Sequence, residues 1–209
     1  MRKVGEYFHV FNRGVEKRDI FLDRQDLDRF LASMIAFNTL EPVGSLFELN
    51  FQPRQKIMQS SKPLVDIVCY CLNPNHFHIL ACAKTENGIS KFIQRLSAGY
   101  TRYFNIRYRR NGVLFQGKYK SVPVTSNEQL LRLSAYINLN NRVHRLGTRS
   151  TKSSWDEYVN EKLRPNHASN IILDQFKNRE EYKKFAEEAL ENIWHERGVL
   201  KELEKDLVD

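Results

Sequence analysis

The chain has no apolar run long enough to cross a bilayer. The longest, Ile67 to Leu72, falls far short of the roughly 20 residues a spanning helix needs, and the opening MRKVGEYFHV lacks the apolar stretch of a signal peptide. A soluble, cytoplasmic protein with no membrane partner is expected. Cysteine is scarce: Cys69, Cys71 and Cys82 are odd in number and sit inside apolar segments, which argues for buried thiols rather than a disulfide framework. No GxxxxGK[ST] phosphate loop occurs, and no internal repeat is found. With 209 residues and 41% hydrophobic content, the chain can still bury the core of one domain, or of a domain with an appendage.

The formal net charge of +8 is unevenly spread. Residues 1–150 hold 23 Lys and Arg against 11 Asp and Glu, net +12, whereas residues 151–209 hold 10 against 14, net −4. A field of the first kind suits a polyanion, nucleic acid above all, although a solvated basic surface would read the same way. Two units are expected: a basic domain over 1–150 and an acidic, mainly helical extension over 151–209.

Periodicity orders the elements. EYFHVFNR (6–13) alternates as a strand. Asp23 precedes a helix carrying Leu27, Phe30, Leu31, Met34 and Ile35. Residues 44–63 give no clear pattern. LVDIVCYCL (64–72) and HFHILACA (76–83) read as a β-hairpin around an Asn-Pro-Asn turn. A long helix from Ile89 places Phe92, Ile93, Leu96, Tyr100, Tyr103 and Phe104 on one side, so Tyr100 and Tyr103 are expected in the core. VLFQGKYKSVPV (113–124) reads as a strand interrupted at Gly117, and Thr125 with Glu128 as a capping box for a helix running to about Asn140, before Gly147. The order implies an α+β fold, a mostly antiparallel sheet with helices packed on it. The helical tail could dock, dimerise or cap, and the sequence does not choose among these.

Chemistry concentrates at PNHFHIL (74–80). Alternation along a strand points His76 and His78 to one face and Phe77 and Ile79 to the other. Two imidazoles on one face can chelate a metal, or can simply be half-buried and satisfied by neighbours. A metal needs a further donor. Tyr136 and Asn140, four residues apart, share a helix face, so Asn140 can offer a carbonyl oxygen and bring the Tyr136 phenol to the same ion. Tyr136 as one more core aromatic is the plainer alternative, and a zinc site that mixes the histidines with Cys71 or Cys82 is another.

These residues resemble the single-tyrosine transposases of the HUH type, in particular the REP-associated tyrosine transposases. The resemblance runs through YFHVFNRGVEKRDIF, CLNPNHFHIL, YTRYFNIRYRRNGVLFQGKYKSV, LLRLSAYINLNNRVHRLG and SSWDEY, and covers most of residues 7–158. It implies an RRM-like (ferredoxin-like) fold, commonly dimeric, acting on single-stranded or hairpin DNA. Carried over residue by residue, it makes His76 and His78 the metal-binding histidines, Asn140 the polar residue completing the site, Tyr136 the nucleophile, and Mg²⁺ or Mn²⁺ the cofactor. A free phenol has a pKa of about 10, so a tyrosine nucleophile needs help in losing its proton. The implied reaction nicks DNA and transfers strands through a 5′-phosphotyrosine, without ATP, so the resemblance implies no nucleotide cofactor. Two departures stand out. Asn73 replaces the methionine of many relatives and is expected in the turn, away from the chemistry. Asn141 replaces a proline, which removes a rigid helix stop after Asn140.

DNA contacts are expected from Arg107, Arg109, Arg110, Lys118 and Lys120, and from Arg142, Arg145 and Arg149 beyond the tyrosine helix. Tyr108, Phe115 and Tyr119 interleave with the first group. Cations serve the phosphates of a single strand and flat rings its unstacked bases. A module of the same topology that grips hairpin or single-stranded nucleic acid without cutting it is the competing function.

Overall fold

The computed structural model describes residues 4–41, 62–146, 150–163 and 167–206. The ambiguous segment 44–63 lies almost wholly outside them, as do Gly147 and Arg149.

The alternating N-terminal segment forms β1 (Tyr7–Arg13), burying Phe8 and Val10 on one side and leaving Tyr7, His9 and Phe11 partly covered on the other. β2 (Val65–Asn73) and β3 (His76–Ala83) are buried along almost their whole lengths, as central strands covered on both faces must be. With β4 (Lys120–Val124) and β5 (Lys152–Ser153) they make a five-stranded sheet of order β4-β1-β3-β2-β5, every neighbouring pair antiparallel. The sheet and its helices form the α+β architecture expected from the element order.

Two details of the central hairpin differ from expectation. Its loop is two residues, Pro74 and Asn75, because Asn73 still pairs with His76 and so belongs to the strand. In addition, β2 carries a bulge at Val68, where the register shifts between Ile67 and Cys69. Before the bulge Asp66 faces the side of Cys82. After it Cys69, Cys71 and Asn73 face the side of Leu80, His78 and His76.

One face of the sheet is covered by α1 (Arg24–Ala36) and α2 (Gly88–Arg107). Asp23 caps α1 as expected, accepting from Asp26 N at 3.1 Å. Phe30, Phe77, Phe92, Leu96 and Tyr100 fill this layer with Phe8, Val10 and Ile79. Gly99 on α2 is required there, since a Cβ at this position would collide with the Phe37 ring. The other face is covered by α3 (Asn127–Asn138) and by the C-terminal segment. The capping box of α3 sits one residue later than expected: Ser126 Oγ accepts from Gln129 N, and the Gln129 side chain accepts from Thr125 N. Residues 113–119 are not strand. Leu114 and Phe115 instead plug the first core, with Phe115 bridging Gly14, and pairing begins at Lys120.

Beyond α3, Leu139 breaks the helix and a single turn, α4 (Asn140–Val143), follows. Then come α5 (Trp155–Val159), α6 (Asn170–Leu173) and the long α7 (Arg179–Asp206). Tyr158, Tyr182, Ala186 and Leu190 complete the second core with Val68, Cys69 and Leu80. The Tyr158 hydroxyl donates to Val68 O at 2.9 Å, satisfying the bulged residue. Among the described residues no helix is long and apolar enough to cross a membrane.

Candidate active site

The turn between β2 and β3 is pinned before any chemistry is considered. Pro74 O accepts from the backbone N–H of Ile20 and of Phe21, at 2.6 and 2.9 Å, and Asn75 O accepts from Gly14 N at 2.8 Å. Strand alternation then sends His76 and His78 towards α3 and Phe77 into the first core. The His76 Nδ1–H donates to Asn75 Oδ1 at 2.6 Å, so its Nε2 presents a lone pair. That lone pair meets Asn73 Nδ2 at 2.9 Å and lies 3.4 Å from Asn140 Oδ1. Asn73 Nδ2 also donates to Asn140 Oδ1 at 2.7 Å.

His78 Nδ1 shares a 2.8 Å hydrogen bond with His9 Nε2, and their rings stack with centroids 5.0 Å apart. The Tyr136 ring stands edge-on to both, at 5.9 Å from His78 and 6.4 Å from His9. His144, from just after α4, stands edge-on to His76 at 5.5 Å. Burial, which disfavours charge, is the first cause lowering all three imidazole pKa values: His9 to about 4, His76 below its ordinary value, and His78 well below it. The positive charge that His9, His76 and His144 would carry adds to the effect at His78. The three rings are therefore neutral at pH 7, the form that offers lone pairs.

The fold thus brings His76, His78, Tyr136 and Asn140 together. Asn73 corrects the sequence reading: it is fully buried, bonded to His76 and Asn140, and part of the site. His9 and His144 were not anticipated. His9 does fall on the outward period of β1, but its role depends on the β1–β3 pairing, which no local pattern announces. α3 ends at Leu139, ahead of Asn140 and Asn141, and Asn140 is fully buried.

The donor set is mixed, two neutral imidazoles and an amide oxygen: the oxygen suits Mg²⁺ or Mn²⁺, and imidazoles also serve the later first-row ions. Among the described residues Asn140 Nδ2 is buried with no partner while its Oδ1 faces His76, so this amide is aimed by its oxygen. The mixed cysteine-histidine zinc site is overturned. Among the described residues no three or more of His, Cys, Asp and Glu are grouped to hold a metal. Cys71 lies opposite His78, but its thiol is fully buried, pushed up to about 12 by burial, and donates to Asn73 Oδ1 at 3.5 Å.

A cleft of about 990 Å³ opens over the histidines, lined among others by Arg13, Lys17, Lys118, Lys120 and His144. Of the residues expected on DNA, Lys118 and Lys120 share this cleft, joined by two cations that the sequence reading missed. Arg109 and Arg110 line a separate depression beside Arg102 and the exposed Ile106. Arg142 lies over the Trp155 ring with Glu187 at 3.9 Å, and Arg145 over the Trp194 ring. Four of the expected contacts are engaged within the fold. Arg107 binds Asp23 and the buried Asp26, the Tyr108 hydroxyl donates to Asp26 at 2.8 Å, Phe115 is core, and Tyr119 packs against the core and bonds Ser90. Their flat or charged ends are already in use.

Comparison with known proteins bears out the resemblance. The profile of the family described as transposase IS200 like matches residues 55–140. No curated protein matches the chain. Among solved structures, a REP-associated tyrosine transposase bound to a REP hairpin shares 12% identity, with 78% of this chain and 84% of that chain covered and a TM-score of 0.53. At that identity the likeness is one of fold. A candidate transposase from Deinococcus radiodurans R1 shares 14% identity over 66% of this chain and 95% of that chain, with a TM-score of 0.39.

Proposed function

From a chain whose residues 55–140 match the IS200-like transposases, we propose that the protein nicks and rejoins single-stranded DNA at hairpins through a phosphotyrosine at Tyr136. The observation that carries this reading is the position of the Tyr136 ring, edge-on to His78 and His9. Tyr136 Oη attacks phosphorus, the bond from phosphorus to the 3′ oxygen breaks, and that oxygen leaves as a 3′-hydroxyl once it gains a proton. The tyrosine keeps the 5′ phosphate until another 3′-hydroxyl reverses the step, so no ATP is consumed. The phenol proton must leave as the new bond forms, because a free phenol is a poor nucleophile. His76, His78 and Asn140 would hold Mg²⁺ or Mn²⁺, which when bound polarises a phosphodiester oxygen and stabilises the charge that grows there.

Lys118 and Lys120, with Arg13 and Lys17, line the cleft that the strand would follow. Arg109, Arg110, Arg142 and Arg145 are flanking phosphate contacts. The REP hairpin held by the structural neighbour supports hairpin DNA as substrate. A homodimer working at the nucleoid follows from the resemblance alone.

The test is covalent capture. Single-stranded DNA carrying a REP-type hairpin and a 3′ label, incubated with protein and Mn²⁺, should give a labelled protein that survives denaturing electrophoresis. Tyr136→Phe should lose it and still bind the hairpin, while Tyr103→Phe should keep it. An adduct that persists in Tyr136→Phe removes the assignment, and cleavage with no adduct at all points to hydrolysis.

A further inference from the structure

Asn73 has a role in the site that the resemblance does not supply. It is fully buried, and its one NH₂ group donates to two atoms, His76 Nε2 at 2.9 Å and Asn140 Oδ1 at 2.7 Å. Both are donor atoms in the ion-binding set proposed above, on which this inference rests. Three contacts fix the arrangement. Asn75 Oδ1 takes the His76 Nδ1–H, which leaves Nε2 as acceptor. The Cys71 thiol donates to Asn73 Oδ1, which directs the other end of the amide towards His76. Turning the Asn73 amide over would set its oxygen against two acceptors. Asn140, meanwhile, spends its oxygen on Asn73 while among the described residues its Nδ2 finds no partner, so the Asn73 hydrogen bond is what holds this amide.

An imidazole nitrogen has one lone pair. It can serve an amide hydrogen or a cation, not both. We propose that Asn73 is a built-in competitor for the divalent ion: its NH₂ group occupies the lone pair of His76 and steadies Asn140 in the ion-free protein, and it must give up His76 for an ion to bind. The side chain then sets ion affinity, holding it weaker than the same ligands would give behind an apolar neighbour. The cost is the net value of one buried hydrogen bond, which corresponds to a factor of roughly ten in affinity.

The test is Mn²⁺ binding to the full chain without DNA, read from the loss of the free-ion electron paramagnetic resonance signal. Asn73→Leu keeps a similar volume and removes both donors, and it should bind Mn²⁺ about tenfold more tightly than wild type. Asn73→Ser, smaller and unable to span both acceptors, should shift the same way and stands in if the leucine variant does not fold. In wild type the Asn73 side-chain amide protons should move on addition of Mg²⁺, a readout that needs no variant. Affinity unchanged or weakened in both variants, or an Asn73 amide that does not move while Mg²⁺ binds, overturns the inference. His78→Ala separates the two readings: if it binds Mn²⁺ as wild type does, the ion site itself is misplaced, whatever Asn73 does.

Discussion

At the scale of single residues, the burden falls on side chains that hold others in place. His9 bonds Nδ1 of His78 at 2.8 Å, and partners of that kind fix ring orientation and tautomer. His9→Ala is expected to slow single-turnover cleavage by about 10- to 100-fold, the usual cost of losing such a partner, while hairpin binding in a gel shift stays intact. Arg107 is expected to behave in the opposite way. It pairs with the buried Asp26 and with Asp23, so Arg107→Ala should destabilise the fold by about 3 kcal/mol in urea unfolding and leave the salt dependence of DNA binding unchanged. Its hydrogen bond is the main reason the Asp23 carboxyl titrates below its ordinary value. A depressed carboxylate pKa gives stability that is present above the unfolded value of about 4 and is lost as pH falls through the folded value. The melting temperature of wild type should therefore drop on acidification below about pH 4 more steeply than that of Arg107→Ala. The histidine pair, the tyrosine and Asn140 could be read from spacing and resemblance. His9 and Asn73 could not, because what they touch is decided by strand register and by a turn one residue shorter than its composition suggests.

At the scale of elements, hydrophobic period was the most dependable guide. The strands β1, β2 and β3 and the helices α1, α2 and α3 lie where alternation and 3.6-residue spacing put them. The failures have physical causes. Residues 113–119 look like strand because Val113, Leu114 and Phe115 are apolar, yet Leu114 and Phe115 are consumed by the first core. The helix cap slipped by one because Thr125-Ser126 offers two hydroxyls and Glu128-Gln129 two partners, and local sequence cannot rank them. Least legible was α7, whose acidic surface hides a structural stripe. Tyr182 is fully buried and its hydroxyl accepts from Asn138 Nδ2 at 2.9 Å, on the helix that carries Tyr136. Tyr182→Ala should cost about 3–5 kcal/mol, and Tyr182→Phe about 1 kcal/mol, in equilibrium unfolding.

For the molecule as a whole, charge and topology meet at the cleft. The net +12 of residues 1–150 predicted a polyanion without saying where it lies; the structure sets Arg13, Lys17, Lys118 and Lys120 beside the histidines. Single-strand affinity should fall with salt, and Lys118→Ala with Lys120→Ala should lower the log-log slope by roughly 0.7 for each phosphate no longer neutralised, measured by fluorescence anisotropy. An unchanged slope would move the strand to the depression at Arg109 and Arg110. The sheet also bears on how the chain can tolerate change in length. Nine residues of β2 run beside eight of β3, the surplus being Val68. Loss of one residue from β2 ahead of Cys71 can be absorbed by straightening the bulge, with Asn73 still opposite His76. β3 has no such slack: a deletion between His76 and His78 would swap odd for even and turn one histidine into the packed layer of phenylalanines, so deletions should be accepted in one strand of this hairpin and not in the other.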